Sequence, residues 1–277
     1  MLNRTTKLLG LLLSVLVICS AVILAGATTT PTLVAVRHPE GLLHGFLVLR
    51  TLTGETLAHG DLIQGVHGDR VTSRLIFHFK DGSLYDETAI FSQHNTFRLL
   101  SDHQVLKGPA FQRQMEVSVN GSTGNVSVQY TDDGKEKVAT EHFTATPDLA
   151  NGVLFTLLKN LGPGVSETKA SLVAFTPKPR LVKLAITSQG EEPFSIGDGS
   201  RKAMHYVIKV EIGGLAGLIA PMLGKEPPET HVWILGGEAP AFLKSEGPLY
   251  SGGPVWRIEL TSPVWPRSSE AKVKVMP

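Results

Sequence analysis

The amino-acid sequence predicts a mainly β protein: a curved antiparallel sheet, or open half-barrel, packed on one main helix, with a β-sandwich as the alternative architecture. Three observations carry this. Short segments alternate apolar and polar residues and are broken by Asp-Gly and Asn-Gly turns. A single stretch repeats leucine at helical spacing. No linker or fixed-period repeat divides the chain.

The strands follow in order. Val71 to Phe79 alternates, Lys80 to Ser83 turns, and Leu84 to Phe91 returns as a hairpin. Phe111 to Val119, Asn125 to Tyr130 and Lys137 to Ala145 continue the meander through turns at Asn120-Gly121 and Asp133-Gly134. At Thr146 the pattern changes. Thr146 can cap a helix, Pro147 suits its first turn, and Asp148 favours its positive end. Leu149, Val153, Leu154, Leu157, Leu158 and Leu161 then form one apolar face, ended by Gly162-Pro163-Gly164. Strand patterns resume at Lys169 to Thr176, Arg180 to Thr187, Met204 to Ile212, His231 to Leu235, Ala241 to Ser245 and Val255 to Leu260. The apolar run Gly213 to Gly224 reads as a short helix or loop. Eight to twelve strands, each with one apolar face, would enclose an apolar interior.

The N-terminus reads as an export signal. Arg4 and Lys7 precede an apolar run from Leu8 to Leu24, and Ala25-Gly26-Ala27 offers small residues for cleavage. An uncleaved anchor is the alternative, and it is the sole membrane contact expected. Four segments follow: a signal or anchor at 1–27, a lead segment at 28–60, one β domain at 61–262 and a tail at 263–277. Cys19 falls in the signal, so the exported domain has no disulfide, thiolate metal site or cysteine nucleophile. That domain carries 24 Lys plus Arg against 25 Asp plus Glu and no basic stripe, which argues against nucleic acid.

Catalytic motifs lack their partners. His59-Gly60-Asp61 and His67-Gly68-Asp69 could share a metal only if the chain reversed at Gly65. His78, between Phe77 and Phe79, faces away from both. His38-Pro39-Glu40-Gly41 has no helical i, i+4 ligand pair. Ser166 and Lys169 match S-x-x-K without its companion motifs, and no G-x-S-x-G elbow occurs. The acid pairs Asp86-Glu87, Asp132-Asp133 and Glu191-Glu192 lie in or beside expected turns. Asp198 to Lys202 reads as a plain β connection. No cofactor, metal site or catalytic residue is expected.

The leucine-rich helix, the long strands, His231-Val232-Trp233-Ile234-Leu235, Ala239 to Lys244 and the terminal Gly253 to Leu260 follow an order that resembles exported bacterial proteins of the DUF3108-like group. Their sheet is similar to the half-barrel of lipoprotein carriers such as LolA. This resemblance spans residues 60 to 262 and implies a curved sheet around a helix in a periplasmic setting. It transfers no catalytic residue. The leading functional expectation is an exported, noncatalytic binding or carrier protein for a lipid or other apolar ligand. Leu154, Leu158, Leu215, Leu218 and Trp233 are its candidate interior or lid contacts. A structural or assembly factor binding another envelope protein, and an extracytoplasmic hydrolase, are the alternatives.

Overall fold

In a computed structural model of the chain, residues 33–162, 164–196, 199–211 and 226–261 are described. The expected signal, the tail and the segment containing Leu215 and Leu218 lie outside the described residues.

The alternating segments form β1 (Leu43–Thr51), β2 (Thr56–His67), β3 (Arg70–Phe79), β4 (Leu84–His94), β5 (Thr96–Lys107), β6 (Met115–Asn120), β7 (Asn125–Asp132) and β8 (Lys135–His142). After the helix α1 (Leu154–Asn160) come β9 (Glu167–Ala174), β10 (Arg180–Ile196), β11 (Gly199–Glu211), β12 (Thr230–Leu235), β13 (Ala241–Pro248) and β14 (Val255–Leu260). All fourteen join one open, curved antiparallel sheet in the order β8-β7-β6-β5-β4-β3-β2-β1-β14-β13-β12-β11-β10-β9. Two meanders therefore meet where β1 pairs with β14, Leu47 opposite Leu260. The sheet begins earlier than the sequence suggests. β1 lies wholly in the expected lead segment yet occupies the middle of the sheet.

One continuous core lines the inner face, from Val126 and Val128 on β7 through Phe77, Phe91 and Leu49 to Leu184 and Ile186 on β10. The two edge strands are handled differently. β8 carries Lys135, Glu136, Lys137 and Glu141, and such charges oppose edge-to-edge pairing. β9 is covered by the chain ahead of α1. Ala150 N–H donates to Ser171 O at 2.8 Å, Ser171 N–H donates to Asp148 O at 2.9 Å, and the Asn151 side chain exchanges hydrogen bonds with the Val173 backbone.

That cover corrects the expected helix. Residues 148–150 spend their backbone groups on β9, and Gly152 takes a φ of 63°, outside the helical range. Helical structure thus starts at Leu154 instead of at Thr146. The turn also brings Gly152 against the inner face, where an added Cβ would lie 2.4 Å from the Ala89 Cβ. Asn160 Oδ1 then accepts the backbone N–H groups of Arg37 and His38 at 2.9 and 2.7 Å, tying the N-terminal segment to the helix end.

Candidate functional site

The concave face is the first place to look for a ligand, and among the described residues it is lined by a continuous buried core. Leu158 is 1% exposed within the core, and Leu154 packs against the same cluster. Phe155 meets Phe242 of β13 with ring centroids 4.7 Å apart. Phe79, Phe111, Tyr250 and Trp256 interlock toward one end of the interior, Phe111 lying 5.4 Å from Phe79 and 5.2 Å from Tyr250. Beside α1, a void of about 10 Å³ lined by Phe97, Leu157 and Ile186 has room for at most about one water. Trp233 departs from the expected interior set. Val232 and Ile234 face the core, so the strand's two-residue period turns Trp233 to the outer face.

Inside the sheet lies a polar cluster that residue spacing did not reveal. Glu87 on β4 stands opposite Gln104 on β5, and Ala89 stands opposite Asp102. Tyr85, Glu87, Asp102 and Gln104 are thereby neighbours on one face. Gln104 Nε2 donates to the Tyr85 hydroxyl at 3.0 Å, and that hydroxyl donates to Glu87 Oε2 at 3.0 Å. Asp102 is 1% exposed, and neither of its carboxyl oxygens has a hydrogen-bond partner among the described residues. Burial pushes its pKa well above the ordinary carboxylate range, and the nearby Glu87 charge adds to the shift. Burial raises Glu87 and Tyr85 as well. In sequence Asp86-Glu87 reads as lying in or beside a turn. Both residues lie within β4, Asp86 paired with Arg74 outside at 2.6 Å and Glu87 inside.

A second buried acid is fully partnered. Asp148 accepts hydrogen bonds from Thr146, from Ser171 Oγ at 2.9 Å and from Lys183 Nζ at 3.1 Å. Burial alone would raise its pKa, but these donors outweigh it and hold the carboxyl below its usual range. Lys183 also donates to Ser171 Oγ at 2.6 Å. Ser171 itself has no exposed surface, while the Lys183 side chain reaches solvent. The S-x-x-K residues themselves do not form it: Lys169 pairs with Glu211 at 2.6 Å.

The histidine triplets stay apart. Gly65 pairs with Thr72 in mid-strand, and the chain reverses at Gly68. Gly60 has a packing reason, because a Cβ there would meet the Phe77 ring at 2.4 Å. His78 is exposed while Phe77 and Phe79 are buried, as alternation requires. Elsewhere on the outer face, His44 bonds Asp61 at 2.7 Å and His103 bonds Glu116 at 2.9 Å. A shallow groove of about 620 Å³ across β5 to β8 is lined by His103, Ser118, Ser127, Thr140 and His142, among others.

On β10 to β13 the outer face holds a tighter arrangement. The Trp233 indole N–H donates to Glu192 Oε2 at 2.8 Å, and His205 Nδ1 lies 2.7 Å from Glu192 Oε1. These contacts, the indole first, hold the Glu192 carboxyl below its usual range. His205 stacks on Trp233 with centroids 4.4 Å apart and planes 4° from parallel, and Lys244 Nζ sits 3.8 Å from the Trp233 ring centroid.

Exposed large apolar side chains gather in one region. Leu42, Leu43, Phe46, Ile63 and Val66 flank the beginning of β1 and the end of β2, and they are five of the eight such side chains among the described residues. Phe46 is 59% exposed and Leu42 is 90% exposed. The Phe46 ring packs on His44 at 4.6 Å.

No family model and no curated protein matches the chain. Among solved structures it is similar to a crystal structure of a β-barrel-like protein of domain of unknown function DUF1849 from Brucella abortus. The likeness has 10% sequence identity and a TM-score of 0.46, and it covers 83% of this chain and 100% of that one.

Proposed function

We propose that the protein is an exported, noncatalytic binding protein of the cell envelope that receives an apolar surface of a partner protein on the rim formed by β1 and β2. The single observation behind this reading is the contrast between a packed inner face and an exposed rim. Among the described residues, buried side chains and α1 pack along the inner face, where a lipid carrier would hold its ligand. Phe46 and Ile63 meanwhile stand in solvent on the outer face of this hairpin, and Leu42, Leu43 and Val66 are exposed at its open end. Clustered exposed apolar residues of this kind mark interaction surfaces. The edge strands do not compete for the role, one being charged and the other covered. Export rests on residues 1–27, and the sequence resemblance to DUF3108-like proteins, with their LolA-like half-barrel, is in keeping with an envelope setting.

The test uses Phe46→Asp and Ile63→Lys. Both residues are exposed, so thermal stability should change little. A defined envelope protein that co-purifies stoichiometrically with the wild type should be lost with both variants. Delipidated protein should gain no thermal stability from oleate or phospholipid, whereas a ligand present at a hundred times its Kd would add about 2.7 kcal/mol. Lipid-dependent stabilisation that survives both rim variants would replace this reading with the interior carrier.

A further inference from the structure

The outer-face cluster on β10 to β12 plays no part in the proposed rim, and it brings two imidazole rings together. Glu192 Oε1 lies 2.7 Å from His205 Nδ1. A carboxylate only accepts, so the hydrogen of a neutral His205 sits on Nδ1 and its Nε2 carries a lone pair. That Nε2 lies 3.0 Å from Nδ1 of His231. The far nitrogen of His231, Nε2, faces Glu229 Oε2 at 3.8 Å. That distance is too long for a hydrogen bond, so a neutral His231 keeps its hydrogen on Nδ1 and donates it to the His205 Nε2 lone pair. The two ring nitrogens thus share one hydrogen across 3.0 Å, with Glu192 bonded behind His205 and Glu229 beside His231. A divalent cation can take the position of that hydrogen: His231 then carries its own hydrogen on Nε2, toward Glu229, and both facing nitrogens become ligands.

We propose that His205 and His231 form a two-imidazole binding site for a first-row divalent cation, Zn²⁺ or Cu²⁺. With metal–nitrogen bonds of about 2.0–2.1 Å, two ligands on one ion stand roughly 2.9 Å apart at right angles and roughly 3.3 Å apart in a tetrahedron. The observed separation falls between these values. A turn of the His231 ring, whose side chain is 37% exposed, converges the lone pairs and leaves the remaining positions to water. The Glu192 carboxylate bonded to His205 is the support that metal-bound histidines recurrently have, and Glu229 stands 3.8 Å from the far nitrogen of His231. Trp233 strengthens it twice, by bonding the second oxygen of Glu192 and by stacking on His205. The nearby ammonium groups are engaged elsewhere. Lys209 pairs with Glu229 at 2.6 Å, Lys202 pairs with Glu191 at 3.0 Å, and Lys244 lies over Trp233 with Glu246 at 3.3 Å. Among the described residues no three metal-ligating side chains converge, so the site has two protein ligands and binds more weakly than a four-ligand structural zinc site.

The experiment is a calorimetric titration of the chelator-treated full chain with zinc chloride, paired with electron paramagnetic resonance of the copper(II) form. One equivalent should bind, and the copper spectrum should show coupling to two nitrogens. His231→Ala should abolish that equivalent while circular dichroism and thermal midpoint in chelator stay unchanged. Glu192→Gln should weaken binding about 10- to 100-fold, the usual effect of losing a supporting carboxylate. His59→Ala, on the other half of the sheet, should leave it intact. A titration without heat, or one that His231→Ala does not alter, overturns the proposal. The Phe46 and Ile63 variants keep the metal site, so its failure and that of the rim are read separately.

Discussion

Replacing Asp102 by asparagine is expected to stabilise the protein at neutral pH and to remove part of its pH dependence. Asp102 is 1% exposed, and its carboxyl oxygens have no partner among the described residues. Burial, with the Glu87 charge, raises its folded-state pKa well above the unfolded value of about 3.9. Between those two values the folded protein holds a proton that the unfolded chain releases. Stability from this group is therefore fully present below the unfolded pKa, and it falls as pH rises through the window. The slope is at most about 1.4 kcal/mol per pH unit for one proton. Asparagine keeps the size and cannot ionise, so the variant loses this slope. Urea unfolding followed by tryptophan fluorescence at pH 5, 6, 7 and 8 measures it, and subtracting variant from wild type cancels groups of opposite sign such as Asp148. The gap between variant and wild type should widen steadily from pH 5 toward neutral pH. Each 1 kcal/mol of divergence corresponds to about 2–4 °C in a domain of this size. Glu87 is raised in the same direction, so Glu87→Gln should flatten the curve further. Parallel wild-type and variant curves, or a variant less stable at pH 8, would refute the reasoning.

Gly152→Ala should cost about 1–3 kcal/mol through its positive φ, and more through the clash with Ala89; the double variant with Ala89→Gly should recover the steric part alone in thermal denaturation. Ser171→Ala removes a donor to Asp148 and should lower stability by about 1–3 kcal/mol in urea titrations. Leu158→Ala, at a position 1% exposed under the sheet, should cost about 2–5 kcal/mol without altering partner binding at the rim.

Residues differ sharply in how much they disclosed in advance. The β3–β4 hairpin was legible because each strand keeps one dry and one wet face, so Phe77 and His78 alternate in chemistry as in burial. β1 was not, because Leu47, Val48 and Leu49 are all buried, which erases the two-residue period. The helix was visible in its leucines but mistaken in its start. Asp148 and Thr146 have the chemistry of a helix N-terminus, yet they form hydrogen bonds with each other, with Ser171 and, through Asp148, with Lys183. Asp102 and Gln104 sit in a polar stretch that reads as solvent-facing. Pairing through the irregularity between Ile90 and Phe91 instead aims them inward. His205 and His231 are far apart in sequence, and only the antiparallel register of β11 and β12 makes them neighbours.

The packed inner face and the buried acids belong to one physical account. A carrier needs an apolar cavity that opens at little cost, but here the segment crossing from β8 to β9 is pinned along its length. Asn151 is bonded to Val173, Gly152 lies against Ala89, Phe155 packs on Phe242, and Asn160 holds the backbone of Arg37 and His38. Removing α1 to admit a ligand would break all four attachments together. It would also uncover Asp102, which Gly152 overlies: a Cβ there would come within 3.2 Å of Asp102 Oδ1. An uncovered Asp102 would regain water and ionise at its ordinary pKa. Opening of this segment should therefore become easier as pH rises, because the open form releases a proton that the closed form retains. Hydrogen exchange of the Leu157 and Leu158 amides should accelerate from pH 6 to pH 8 beyond the intrinsic chemical rate, and Asp102→Asn should abolish the excess. An excess that persists in the variant would place the pH dependence elsewhere and detach the interior acids from the motion of α1.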